Sequence, residues 1–185
     1  RTTITIEDAL VEKAIAVTGI SERNALFRHA LSQMIERDAA ERLIRIGGSD
    51  PFAWAPNEGD ARQLIITDAN IWIDHLRAPS PHLQTYLRRG VVRLHPYTIG
   101  EIALGSLKDR RILEDLKRIP ACKTASHDEV MALIENGRLF GTGVGYVDCH
   151  LLASTRMMAG ARLWTRDRRL RAQAERLEVL CLQGT

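Results

Sequence analysis

The sequence predicts a mixed α/β protein, in which a parallel sheet with helices on both faces follows a small strand–helix–helix unit. From residue 64 onward, short apolar runs alternate with segments of helical periodicity, an order typical of parallel sheets. The run Leu64-Ile65-Ile66 is apolar and rich in β-branched residues, as a strand buried on both faces would be, and Thr67 and Asp68 follow it directly. The preceding residues have a different pattern, so we expect two structural parts.

The first part begins with an alternating run over residues 1–6, which places Arg1, Thr3 and Thr5 on one face of a short strand. Two helical segments follow, and Gly19 is in the position of a glycine that ends the first of them. A unit this small cannot bury its own core, and a lone edge strand is unstable. We therefore expect two copies to dimerise, with their short strands paired antiparallel.

A linker is predicted behind the second helix, where the stretch Gly-Gly-Ser-Asp-Pro ends the helical pattern. The predicted domains are therefore residues 1–46 and 64–185, joined by residues 47–63. Phe52 and Trp54 stand in this otherwise polar linker, and aromatic side chains in an extended segment usually need a partner surface. We expect a tail that lies in a groove of the following domain, anchored by Trp54. The alternative is a loosely packed linker.

The second part has helical and strand patterns in alternation. After the first strand, we predict helices over residues 81–89, 97–107, 108–119 and 127–139, and strands over residues 91–94, 122–125, 162–165 and 179–182. A glycine-rich loop that ends at Gly145 precedes another apolar helix, which Tyr146, Val147 and Asp148 open. A short helix lies between the last two strands. This order predicts helices on both faces of the sheet.

Four acidic residues occupy positions that can converge in such a fold. Asp68 and Asp167 directly follow predicted strands, Asp148 opens a helix, and Glu101 lies in a helix that packs on the sheet. Clustered carboxylates repel one another unless a cation sits among them, and an all-oxygen set suits Mg²⁺ or Mn²⁺. Spacing alone leaves two interpretations open: a metal site, or a chance placement of acids in an acid-containing domain.

Basic residues are concentrated in the second part. Residues 61–185 carry 19 Lys and Arg against 13 Asp and Glu, a net of +6, whereas residues 1–60 carry 7 against 10, a net of −3. Arg166 and Arg168 flank Asp167, together with two further arginines. They form either a rim that contacts the phosphates of a polyanionic substrate or the solvated face of a helix.

The composition is typical of a globular protein without a membrane span. The apolar runs are too short to cross a bilayer, so we expect no membrane partner. The three cysteines are odd in number and widely spaced, which predicts neither a disulfide framework nor a zinc site. Their pattern fits the reducing cytoplasm.

The first 45 residues resemble the ribbon-helix-helix domain of VapB-type antitoxins. The resemblance lies in Thr-Ile-Thr-Ile-Glu-Asp-Ala-Leu near the start, Gly-Ile-Ser-Glu-Arg-Asn at the second helix, and the later Arg-Leu-Ile-Arg-Ile-Gly-Gly. It implies that Arg1, Thr3 and Thr5 face the major groove of operator DNA as a two-stranded ribbon. The alternative is a dimerisation arm that makes no DNA contact.

Residues 64–182 resemble PIN-domain ribonucleases, and VapC toxins most closely. Four segments in order carry this resemblance: Thr-Asp-Ala-Asn-Ile-Trp-Ile-Asp-His-Leu, Ile-Gly-Glu-Ile-Ala-Leu-Gly, Gly-Val-Gly-Tyr-Val-Asp-Cys-His-Leu-Leu-Ala and Leu-Trp-Thr-Arg-Asp-Arg-Arg-Leu. It implies a quartet of catalytic and metal-binding acids, namely Asp68, Glu101, Asp148 and Asp167. Asn70 stands where the family usually has Ser or Thr, and we assign it with Arg166 and Arg168 to substrate binding.

Together these resemblances imply an antitoxin-like segment fused to an endoribonuclease toxin, which hydrolyses RNA through water bound to Mg²⁺ or Mn²⁺. The substrate would be tRNA or another structured RNA, and the protein would be at least a homodimer on operator DNA. Antitoxin tails in this family wrap the toxin, which implies an inhibitory tail formed by Phe52, Trp54 and Arg62. The alternative function is an autorepressing transcription factor whose nuclease half is silenced by this tail.

Overall fold

The computed structural model describes residues 5–46 and 63–182. In this part of the chain, the helices and strands follow one another as α1 (Asp8–Thr18), α2 (Arg23–Ile46), β1 (Ile65–Thr67), α3 (Ala69–Arg77), α4 (Pro81–Arg88), β2 (Val92–Arg93), α5 (Pro96–Leu104), α6 (Ile112–Arg118), α7 (His127–Asn136), α8 (Tyr146–Met157), β3 (Arg162–Trp164) and α9 (Arg168–Arg176). None of the described helices is both long enough and apolar enough to pass through a lipid bilayer.

Internal contacts divide the chain into two compact units, Arg1–Asp38 and Ala39–Thr185. In the first unit, α1 ends at Gly19 as the sequence predicts. The left-handed conformation of Gly19 (φ 72°) lets its N–H bond the Ile15 carbonyl at 2.8 Å. The strand predicted over residues 1–6 lies mostly outside the described residues, and the predicted domain bounds remain a prediction.

The second unit is built on a parallel sheet of three short strands in the order β2-β1-β3. The predicted central strand is confirmed, since Ile65 pairs with Val92 on one side and with Arg162 on the other. The strands predicted over residues 122–125 and 179–182 are wrong, because the structure has only single parallel bridges in these regions. One joins Leu94 to Ala121, one residue before the first range, and the other joins Leu163 to Leu180.

The absence of a strand over residues 122–125 has a local cause. Cys122 N–H still donates to the Leu94 carbonyl of the sheet, but Lys123 N–H points to the sulfur of Met158. Ser126 then caps α7 with a capping box to Glu129. The chain therefore turns into a helix before a longer ladder can form.

Two apolar cores lie on opposite faces of the sheet, because consecutive strand residues point to opposite sides. Ile65 belongs to the core formed with α3, α4, α5 and α6, and Ile66 belongs to the core formed with α7, α8 and α9. The prediction of helices on both faces is thus confirmed.

The end of α2 is part of the first of these cores. Leu43 is fully buried in it. The ring of His75 accepts the N–H of Ser80 at Nδ1, so its Nε2–H donates to the Leu43 carbonyl at 3.0 Å. Gln84 donates its side-chain N–H to the next carbonyl, that of Ile44, at 3.3 Å. These side chains satisfy carbonyls that a helix end leaves without partners.

Candidate active site

Asp68 directly follows β1 and is held by bonds to both carboxylate oxygens. The side chain is only 7% exposed, and its Oδ1 accepts the Ala69 N–H at 2.6 Å as the N-cap of α3. Its Oδ2 accepts the amide of Asn70 at 2.5 Å and the hydroxyl of Thr165 at 2.7 Å. This carboxylate is therefore fixed in one orientation.

Thr165 is a site residue that the sequence reasoning missed. It follows β3, and its hydroxyl donates to Asp68 while accepting the N–H of Asp167 at 3.0 Å. Asn70 reinforces the link, because its amide also reaches the Thr165 hydroxyl at 3.2 Å and its Oδ1 accepts the Arg166 N–H at 3.2 Å. The ends of β1 and β3 are joined through these side chains. The one available sequence signal is that a Thr and then an acid stand at the end of each strand: Thr67 is the last residue of β1 and precedes Asp68, and Thr165 follows β3 and precedes Asp167 by two residues.

Asp148 and Asp167 each use one carboxylate oxygen to cap a helix. Asp167 Oδ1 accepts the N–H groups of Arg169 and Leu170 at 2.9 and 2.8 Å, and Asp148 Oδ2 accepts the Gly145 N–H at 2.8 Å. Within the described residues, no hydrogen bond reaches the other oxygen of either group. One oxygen of each is therefore free to bind a ligand.

The four acids form one electrostatic cluster. Burial raises the pKa of Asp68, and the charges of Asp148 and Asp167 raise it further, against the bonds from Thr165 and Ala69. Burial and the charge of Asp167 likewise raise the pKa of Asp148. Glu101 lies on the exposed side of α5, yet partial desolvation and the charges of Asp68 and Asp148 raise its pKa. The structure thus brings the predicted quartet within interaction range.

The cluster is not a closed metal cage as it stands. Among residues 5–46 and 63–182, no three His, Cys, Asp or Glu side chains are arranged to enclose a metal ion. The donor chemistry nevertheless fits a hard divalent cation, because the available ligands are carboxylate oxygens whose pKa is raised by burial and by the charges of their neighbours.

The remaining predicted site residues are distributed differently. Arg166 forms an ion pair with Asp74 (Nη1 to Oδ2, 2.6 Å), whereas Arg168 is exposed at the start of α9. Thr5 is exposed ahead of α1. The other predicted DNA-binding and tail residues lie outside the described residues, namely Arg1, Thr3, Phe52, Trp54 and Arg62.

Comparisons with known proteins give separate matches to the antitoxin-like and the toxin-like part of the sequence. The model of a family described as the bacterial VapB antitoxin of type II toxin–antitoxin systems matches residues 1–46. The chain is 44% identical over 110 residues to "Ribonuclease VapC32" of Mycobacterium tuberculosis H37Rv, covering 59% of this chain and 89% of that protein. It is also 44% identical over 55 residues to "Antitoxin VapB32" of the same strain, covering 30% of this chain and 85% of that protein. No solved structure matches the chain significantly.

Each relative is matched over most of its own length, and the parallel α/β unit is the PIN-like fold expected of a VapC relative. The chain therefore belongs to the VapB and VapC families of type II toxin–antitoxin systems, whose sequences it joins in a single polypeptide.

Proposed function

We propose that this chain is a metal-dependent endoribonuclease and that Asp68, Glu101, Asp148 and Asp167 are its catalytic and metal-binding residues. The observation that carries the proposal is the convergence of these carboxylates: burial raises the pKa of Asp68, Glu101 and Asp148, and the charge of a neighbouring acid raises each of them further. Such a cluster favours a cation in its midst. The relation to a protein named as a ribonuclease supports RNA as the substrate.

Mg²⁺ or Mn²⁺ is the cofactor that this donor set suits best. When bound, the cation would neutralise the carboxylates and stabilise the negative charge that develops on a phosphodiester under attack. The chain's own contribution is positioning. Thr165 and Asn70 hold Asp68 in one orientation, and helix-terminal N–H groups hold one oxygen each of Asp148 and Asp167.

Substrate contact is assigned to Arg168, Arg166 and Asn70 at the rim of the cluster. Arg168 is exposed beside Asp167 and can bind an RNA phosphate directly. Arg166 is paired with Asp74, so RNA phosphate would compete with that carboxylate for the guanidinium. We expect tRNA or another structured RNA as the substrate.

The test is cleavage of a tRNA pool by the full chain in Mn²⁺ and in EDTA. We expect cleavage in Mn²⁺ alone, and a loss of at least 100-fold, on the order of one essential catalytic group, in Asp148→Asn. Asp128→Asn is the matched control, because Asp128 is an exposed helix-start acid outside the cluster. Cleavage in EDTA, or cleavage by Asp148→Asn at the control's rate, would contradict the proposal.

A second function, operator binding by a dimer, is favoured by the surface of the first unit. Five large apolar residues on its two helices are between 54% and 86% exposed, namely Leu10, Val17, Leu31, Met34 and Ile35. Apolar surface of this extent is typical of an interface. We propose that a second copy covers it and that Arg1, Thr3 and Thr5 of both copies contact operator DNA.

A gel-retardation experiment with the promoter DNA of the gene that encodes this chain tests the second function. We expect binding by the full chain and its loss when Arg1, Thr3 and Thr5 are all replaced by Ala, while sedimentation still shows a dimer. Equal retardation by both proteins would mean that the predicted strand is a dimerisation arm that makes no DNA contact. Under this second function, the predicted tail residues Phe52, Trp54 and Arg62 silence the nuclease of the same polypeptide, at high effective concentration.

A further inference from the structure

A cluster of aromatic rings lies beside the acids and has no part in the proposed catalytic chemistry. The ring of His150 stands between two tyrosines, with centroids 4.7 Å from Tyr97 at 72° and 4.7 Å from Tyr146 at 89°. His95 completes this tyrosine–histidine cluster, 4.9 Å from Tyr97 and 5.9 Å from His150. Edge-to-face contacts of this kind fix the orientation of the rings.

Two helices carry both the cluster and part of the acidic site. Tyr97 lies one turn before Glu101 on α5, so both side chains are on the same face of that helix. Tyr146 is the first residue of α8, and Asp148 lies two residues later. The two tyrosines therefore come from the same helices as two of the four acids.

The tyrosines are exposed, but the histidines that hold them are not. Tyr97 and Tyr146 are 41% and 45% exposed, whereas His95 and His150 are 0% and 3% exposed. His95 caps α5 by accepting the Tyr97 N–H at Nδ1, and His127 Nδ1 lies 2.6 Å from the Tyr146 hydroxyl. Both tyrosine rings are thus preorganised at the surface.

Two buried nitrogen atoms of the cluster have no hydrogen-bond partner among the described residues. They are Nε2 of His95 and Nδ1 of His150. A buried polar atom without a partner costs free energy, and a core of aliphatic residues would avoid that cost. Polar rings at these positions therefore indicate more than core filling.

We propose that Tyr97 and Tyr146 form a stacking site for an unpaired nucleobase next to the phosphodiester that is cut. This inference rests on the proposed ribonuclease function and assigns two residues that position its substrate. An aromatic ring beside a phosphodiester site offers a π-face to a base that has left its helical stack. The two tyrosines then fix which unpaired base lies next to the bond that is cut, and RNA without an unpaired base at this position does not fill the site.

The test uses the full chain in EDTA, where we expect no cleavage, and a single-stranded RNA that carries 2-aminopurine, whose fluorescence falls when the base stacks. We expect the wild type to quench this fluorescence, and to cause no further change in the same RNA annealed to its complement, where the base is already stacked. Tyr97→Leu and Tyr146→Leu should each weaken binding by about 5- to 150-fold, the range for loss of one stacked base. Tyr97→Phe keeps the ring and should keep the quenching.

The matched control is Phe140→Leu, which removes an exposed aromatic ring outside the cluster. It should bind the RNA as the wild type does. Binding without quenching, or equal affinity of Tyr97→Leu and Phe140→Leu, would overturn the stacking site. Together with the cleavage test, the same experiment distinguishes this proposal from the ribonuclease proposal. Quenching without Mn²⁺-dependent cleavage would contradict the ribonuclease function but not the base-stacking site.

Discussion

At the scale of single residues, one hydroxyl joins the two strand ends on which the site depends. Thr165 donates to Asp68 at 2.7 Å and accepts from the N–H of Asp167 at 3.0 Å. Side chains that orient metal-binding carboxylates typically change affinity or activity by about 10- to 100-fold when they are removed. Thr165 is therefore a positioning residue in our account.

Substitution of Thr165 gives a direct test of this role. Thr165→Val keeps the shape of the side chain but removes the hydroxyl, so we expect RNA cleavage to fall by about 10- to 100-fold. Thr165→Ser restores the hydroxyl and should restore most of the rate. If the Val and Ser variants cut RNA equally well, Asp68 does not need this bond.

The convergence of three of the four acids could be predicted from the sequence, because Asp68, Asp148 and Asp167 each lie next to a strand end or a helix start, whereas Glu101 lies inside α5. Asp68 follows an apolar β-branched run, and Asp148 follows the glycine-rich loop that opens α8. The role of Thr165 was not predictable in the same way. Its partners are 97 and 2 residues away along the chain, and the longer link depends on β3 lying beside β1.

At the scale of elements, the N-cap of α5 depends on a neutral histidine. His95 accepts the Tyr97 N–H at Nδ1, and burial together with the nearby His150 lowers the pKa of His95 to about 4. Protonation would turn this acceptor into a donor and break the cap. In the unfolded chain His95 takes up its proton near pH 6.5.

Stability should consequently fall as the pH falls from 6.5 toward 4, because the unfolded state binds the proton first in that range. The titration of His95 lowers the free energy of unfolding by at most about 1.4 kcal/mol per pH unit in this range. His95→Asn keeps a good N-cap acceptor without a titrating ring. Urea unfolding at several pH values should show a shallower decline for this variant. An equally steep decline of the unfolding free energy with pH in both proteins would contradict the claim that His95 caps α5 as a neutral ring.

The end of α2 is an element whose role the sequence did not reveal. Its apolar spacing predicted an amphipathic helix, but the surface that this helix covers depends on tertiary packing. Leu43 is fully buried among the side chains of α3 and α4, and His75 and Gln84 satisfy the last carbonyls. Ala40, Leu43 and Ile44 are thus part of the core that also contains Ile65 of β1.

Truncation of one side chain tests this packing. We expect Leu43→Ala to lower the free energy of unfolding by about 2–5 kcal/mol, the usual range for a fully buried leucine. Leu104→Ala is the control, since Leu104 is 90% exposed on α5 and should change stability little. Urea unfolding of both variants gives the comparison. Equal stability of the two would place Leu43 outside the cooperative core.

At the scale of the whole molecule, antitoxin-type and toxin-type sequences share one polypeptide. Charge separates the two parts, with a net of −3 over residues 1–60 and +6 over residues 61–185. The basic part is the one that we assign to RNA, and this agrees with the general attraction of polyanions to basic surfaces. The acidic cluster is locally opposite in sign, and the cation that we propose there would offset its repulsion of a phosphate.

The central claim is that the four carboxylates hold one divalent cation. The most direct measurement is Mn²⁺ binding by the full chain, followed through the electron paramagnetic resonance of free Mn²⁺. We predict saturable binding by the wild type and by Asp128→Asn, and binding at least 10-fold weaker, on the order of one lost ligand, in Asp68→Asn and Asp148→Asn. Undiminished Mn²⁺ binding by these two variants would contradict the account.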